Sequence, residues 1–153
     1  MIIRFFLSCL LLIVTLGAVA QTKSKPGQAN SNSSKSKHVH QVVIQITSSD
    51  SLVWKALTNN IRHLKDAWGD SVHIEVVAHG PGIDFLLSLK TTQQKEITHF
   101  KNEGVVFAGC ANTLKARNLT KEALVPEAMV VPSGVAEVII KQEEGWSYLK
   151  AGF

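Results

Sequence analysis

The chain has 153 residues, 45% of them hydrophobic, with 16 Lys and Arg against 12 Asp and Glu. The formal charge of +4 is concentrated at one end: Arg4, Lys23, Lys25, Lys35 and Lys37 all precede residue 40, and 11 basic residues face 12 acidic ones without them. A near-neutral folded part argues against nucleic-acid binding, which requires a basic patch on the domain itself.

The stretch MIIRFFLSCLLLIVTLGAVA carries Arg4, an apolar run from Phe5 to Leu16 and an A-x-A site at Ala18 to Ala20. This is the pattern of a secretory signal peptide over residues 1–20, cut before Gln21. The run is shorter than the roughly 20 apolar residues of a membrane span, so no integral span is expected in the mature chain. An uncleaved anchor is the alternative. A lipid-anchor reading of Cys9 fits poorly, because Cys9 lies inside the apolar run. Export predicts a secreted, periplasmic location. It also leaves Cys110 as the one thiol of the mature chain, which excludes an intrachain disulfide. Residues 21–39 hold Ser, Asn, Gly, Pro and four lysines, with no acid and almost nothing apolar. That composition predicts a disordered basic linker.

One domain is expected over residues 40–153. His40 to Thr47 (HQVVIQIT) reads as a strand. Ser49, Asp50 and Ser51 are cap candidates for a helix marked by Val53, Leu57, Ile61, Leu64 and Trp68, which Gly69 ends. Val72 to Ala78 is a second strand. A short helix over Asp84 to Leu89 and a longer one over Thr92 to Asn102 follow, the latter closed by Gly104. Val105 to Ala108 is a nearly all-apolar third strand. Leu119 to Leu124 reads as helical, started by Asn118 or Thr120. Ala128 to Val131 is a fourth strand, Ser133 to Glu144 a helix, and Trp146 to Lys150 an edge strand. The alternation predicts an α/β fold in three layers, a mainly parallel sheet with helices on both faces. Trp54, Trp68, Val106, Phe107, Ile139 and Ile140 read as core or interface packing.

In such sheets the loops at the carboxyl ends of the strands converge on the ligand-binding edge. Cys110 follows the third strand there. Asn112 and Thr113 open a helical turn beyond it, and a thiol at a helix start is favoured as thiolate. Lys115 and Arg117 add charge close in sequence, and Gly109 leaves the backbone open to a ligand. His79 belongs to the same edge, in the loop His79-Gly80-Pro81-Gly82. So do Ser133 and Gly134, which open a helix and offer backbone N–H groups to an anion. The alternative for Cys110 is a small buried apolar residue. The alternative for His79 is a turn histidine with a backbone partner. The HGPG loop lacks the spacing and Lys-Ser/Thr pair of a phosphate loop. No histidine pair has helical metal spacing, no G-x-S-x-G is present, and neither metal nor cofactor is expected.

Four stretches carry a family resemblance: VVAHGPGIDFLL at Val76 to Leu87, GVVFAGCANTLKARNLTKEAL at Gly104 to Leu124, VPSGVAEVIIKQEEGWSYLK at Val131 to Lys150, and the opening strand with its Ser-Asp loop. With them the chain resembles the DsrE/DsrF-like family, also described as the YchN-like fold. The resemblance implies a compact α/β domain assembling as a homo-oligomer, a trimer or hexamer. It also implies sulfur relay, in which a cysteine takes a sulfane sulfur as a persulfide and hands it to a partner's thiol. Cys110 is then the acceptor, with a thiol-containing protein as sulfur donor or acceptor and His79 as a second position. The signal peptide departs from the cytoplasmic relay proteins. Two further readings stand beside sulfur transfer. One is a non-catalytic module that binds a small ligand or a protein around a structural Cys110. The other is a redox sensor in which Cys110 is oxidised.

Overall fold

The computed structural model describes residues 38–152; the expected signal peptide and all but the last two residues of the expected linker lie outside the described residues. Among the described residues no helix is long and apolar enough to cross a membrane.

The β-branched run at the start forms β1 (His40–Ile46). Its period of two sends Val42, Ile44 and Ile46 to one face of the sheet and Val43 and Gln45 to the other. Asp50 then caps α1 (Ser51–Trp68), its carboxylate accepting from the Leu52 amide at 2.8 Å. Such a cap contributes about 1 kcal/mol. The helix ends where Gly69 takes φ +53°. β2 (Val72–Ala78), α2 (Gln94–Asn102), β3 (Val106–Cys110), α3 (Ala111–Ala116), β4 (Ala128–Val131), α4 (Gly134–Glu143) and β5 (Ser147–Lys150) follow.

All strand pairs are parallel and the order is β4-β3-β2-β1-β5. From β1 to β4 the chain steps steadily toward one edge. Right-handed crossovers therefore put α1, α2 and α3 on one face. The return from β4 to β5 runs the other way, and the same handedness puts α4 on the opposite face. The core divides accordingly. Ile44, Ile46, Ile74, Val76 and Phe107 pack with Trp54, Leu57 and Ile61 of α1, Ile97 and Phe100 of α2, and Leu114 of α3. Val43, Val77, Ala108 and Val131 pack with Val138 of α4 and Trp146. Each fully buried aliphatic or aromatic side chain contributes about 1.5–3 kcal/mol.

The expected α/β architecture is present, with differences in the connections. The short helix expected over Asp84 to Leu89 is a 3-10 segment starting earlier, at Gly80–Leu86. Pro81 fits its first turn, and Leu87 leaves it to bridge Leu124. The helix expected over Leu119 to Leu124 shrinks to a 3-10 turn, Lys121–Ala123. β3 runs two residues beyond the expected Ala108, because Gly109 and Cys110 pair with Val130 and Val131 of β4.

Gly82 packs against the end of β1. A Cβ there would stand 2.2 Å from the Ile46 carbonyl oxygen. Urea denaturation of Gly82→Ala is expected to show a loss of about 3 kcal/mol or more, since backbone cannot yield as a side chain can. In Gly80→Ala the added Cβ meets nothing within 4 Å, but the residue holds φ +54°, so the loss should be only about 1–2 kcal/mol.

Candidate functional site

Two neighbouring strands of this sheet send their chains to opposite faces. β3 continues into α3 on one face and β4 into α4 on the other, so the topological switch point lies between them. Cys110 and Val131 are paired there as the last residues of the two strands. A crevice outside the carboxyl ends at such a point is where α/β sheets place ligands.

Cys110 is the residue before α3 and shares the α4 face with Ala108, by alternation along β3. It is 4% exposed. Burial pushes its thiol up, but hydrogen bonds outweigh burial and the net direction is down, favouring thiolate. The groups that favour the thiolate are the Thr113 hydroxyl and the backbone amides of Gly134, Thr113 and Asn112. The Asn112 amide donates to the Pro132 carbonyl at 3.3 Å. The thiol is thus held between the first turns of two diverging helices.

Thr113 owes its orientation to the HGPG loop. The Gly80 amide donates to Thr113 Oγ1 at 3.0 Å. With a lone pair so engaged, the hydroxyl proton is free for Sγ. The charges expected from Lys115 and Arg117 are not among the main influences on the thiol. Arg117 pairs with Asp84, which Lys90 also reaches at 3.0 Å. Asp84, 8% exposed, is held as a carboxylate below its ordinary range: burial pushes it up, and its two cationic partners outweigh that.

His79 lies one residue past β2. Extending the β2–β3 register by one step beyond Ala78 and Gly109 puts it level with Cys110 on the same face. Its imidazole is not among the donors to Sγ. Gly134 joins the two residues instead. Its amide is among the groups that favour the thiolate, and a Cβ built on it would stand 2.9 Å from His79 Cβ. Burial lowers the His79 pKa, so the ring favours the neutral form. His79 Nε2 lies 2.7 Å from Gln45 Nε2, and the Tyr148 hydroxyl donates to Gln45 Oε1 at 2.5 Å. Gln45 and Tyr148 carried no signal in the sequence. Their link needs β5 to lie beside β1, and they stand 103 positions apart.

The structure therefore gathers Cys110, Asn112, Thr113, Gly134, His79 and Gly80. It turns Gly82 and Gly109 elsewhere. Gly82 sits under the Ile46 carbonyl, and a Cβ at Gly109 would meet Leu124 Cδ1 at 3.0 Å on the other face. Apolar side chains thus fill the space that Gly109 was expected to leave for a ligand. Ser133 caps α4, accepting from the Ala136 amide at 3.4 Å. Among the described residues no group of three or more His, Cys, Asp or Glu converges as metal ligands would.

The DsrE/DsrF-like family model matches residues 41–151. A protein of unknown function from Methanobacterium thermoautotrophicum, MTH1491, has a solved structure similar to this chain. The identity is 32%, the match covers 72% of this chain and 98% of that one, and the TM-score is 0.69. BT1422, a conserved protein of unknown function from Bacteroides thetaiotaomicron, shares the fold at 16% identity and a TM-score of 0.56, over 72% of this chain and 93% of that one. No curated protein matches the chain.

Thr113→Val removes the hydroxyl donor, so the Cys110 pKa should rise while Thr113→Ser keeps it low. Thiolate absorbance against pH measures this, and an unchanged titration in Thr113→Val would mean that the hydroxyl does not act on Sγ. The sign for stability follows. A thiol whose folded pKa lies below its unfolded value stabilises the fold above the unfolded pKa. That contribution is lost as pH falls through the folded pKa. Thr113→Val should shrink that gain.

Proposed function

This chain belongs to the DsrE/DsrF-like family, and we propose that it is an exported sulfur carrier in which Cys110 accepts a sulfane sulfur. The observation that carries the reading is the place of Cys110, paired with Val131 at the topological switch point and standing at the start of α3, where nearby polar groups favour its thiolate against burial. The same groups suit a persulfide anion, which needs the charge stabilisation that a thiolate needs.

The chemistry balances without an external oxidant. The Cys110 thiolate attacks the outer sulfur of a donor persulfide, R–S–SH. The donor S–S bond breaks and its electron pair leaves as R–S⁻, while Cys110 becomes Cys–S–SH. A partner's thiolate then attacks the outer sulfur of Cys110 and releases the Cys110 thiolate. The partner class is a thiol-containing protein, met in the periplasm.

A homo-oligomer, a trimer or hexamer, belongs to the same proposal. Val135, Ile139 and Ile140 of α4 are 45–52% exposed, and Met129 of β4 and Tyr148 of β5 are 49% and 43% exposed. Among the described residues α4 is the one helix on its face of the sheet, so these residues suit a contact between copies.

The burial of Cys110 favours a second reading, a non-catalytic binding module with a structural thiol. Intact mass of the purified protein separates the two. After exposure to a persulfide donor, the sulfur carrier gains one or more sulfur atoms, reversibly with reductant, and Cys110→Ser gains none. Equal sulfur uptake by the mutant defeats the carrier. No uptake by the parent chain, with Cys110 alkylated only after unfolding, leaves the binding module.

A further inference from the structure

The amide of Gln45 stands between two groups from different strands. Gln45 is on β1, level with Val77 of β2 and Lys150 of β5. Tyr148 of β5 is level with Val43, and its hydroxyl reaches up to Gln45 Oε1. His79 lies two residues past Val77, on the same face as Gln45. Tyr148, Gln45 and His79 thus form one row at the carboxyl end of the sheet, with Cys110 next along it on β3.

The amide orientation sets the direction of this row. The Tyr148–Gln45 contact is 2.5 Å. That suits O–H···O, whose range is about 2.5–3.0 Å. The amide oxygen therefore faces the phenol, and the amide nitrogen faces His79 Nε2 at 2.7 Å. An amide NH₂ has no lone pair to offer. His79 Nε2 must accept, and the imidazole proton must sit on Nδ1. Gly134 supports the ring on its other side, a Cβ built there standing 3.2 Å from Cδ2. Among the described residues Nδ1 has no hydrogen-bond partner, and it is not sealed from solvent.

We infer that Gln45 is a positioning residue. It holds His79 as the neutral Nδ1–H tautomer, so that Nδ1–H is presented as a donor to an anionic sulfur species entering beside Cys110. Tyr148 holds the amide in the orientation this requires. The inference rests on the reading of Cys110 as a sulfur acceptor. It adds what the site selects: a substrate with an anionic sulfur terminus, such as a polysulfide or persulfide. The ionisable groups that share this face of the sheet with His79 are His73 and Glu75 of β2, Cys110 of β3, Tyr148 and Lys150 of β5, and Glu137 and Lys141 of α4.

The test is nitrogen NMR of the ¹⁵N-labelled imidazole together with the rate of sulfur loading from inorganic polysulfide. The protein should show His79 protonated on Nδ1. In Gln45→Leu the ring should move toward the Nε2–H form, and loading should slow by about tenfold, the worth of one hydrogen bond to a charged group. Gln45→Glu keeps the side chain's shape if Leu disturbs the fold. Its carboxylate should pull a proton onto Nε2. A parent ring protonated on Nε2, a ring unchanged in both variants, or loading at the parent rate despite a changed tautomer would each overturn the inference. If the parent chain takes up no sulfur at all, the reading of Cys110 fails. The tautomer then decides the placement of Gln45 alone.

Discussion

The reversal of the chain after β4 is the constraint on which the site depends. Handedness of the crossover fixes where each helix goes once the strand order is given. Three steps in one direction stack α1, α2 and α3 on one face, and the single step back throws α4 onto the other. Only at the β3–β4 boundary do adjacent strands diverge, and there two helix starts open away from each other. Cys110 occupies the gap. A different return, with β5 beyond β4, would put α4 beside α3 and remove the Gly134 amide from the thiol.

The thiol itself is a contest between two opposed effects. Burial to 4% exposure disfavours an anion. Backbone amides at helix starts favour it, and they do so without side-chain entropy because the helices already fix them. The Thr113 hydroxyl adds a donor whose direction is set by Gly80, a residue held at positive φ by the loop after β2. Helix starts and loop thus converge on one sulfur, although they come from three separate parts of the sequence.

That convergence explains what was legible beforehand. Runs such as VVIQI and VVFA announced their strands through β-branched and apolar density, and Asp50 and Gly69 announced the bounds of α1 through local chemistry. Cys110, Thr113 and Gly134 were legible because each stands at a strand-to-helix junction, which is a local feature. The 3-10 path of Gly80–Leu86 was not. It depends on Gly82 approaching the Ile46 carbonyl, a contact from a distant strand. Gln45 was hidden for the same reason. In a strand it reads as one polar residue among apolar ones, and only the placement of β5 beside β1 brings Tyr148 to it.

Since α4 supplies both the amide on Sγ and the support under His79, what holds α4 down matters to the chemistry. Its start is fixed by the Ser133 cap and by the Asn112–Pro132 hydrogen bond. Its far end is fixed by Lys141, which reaches Glu75 of β2 at 3.6 Å and lies 5.0 Å from the centre of the Trp146 ring. Glu75 is 5% exposed. Burial pushes its carboxyl above the ordinary range, Lys141 only partly offsets this, and Oε1 has no hydrogen-bond partner. A buried pair of this kind adds little net stability, because desolvation consumes most of the attraction. What it does supply is placement. Apolar packing of Val138 alone would let α4 slide along the smooth strip of Val43, Val77 and Ala108, whereas a charge that is costly to strand holds one register. The register of α4 is in turn what keeps Gly134 over the sulfur.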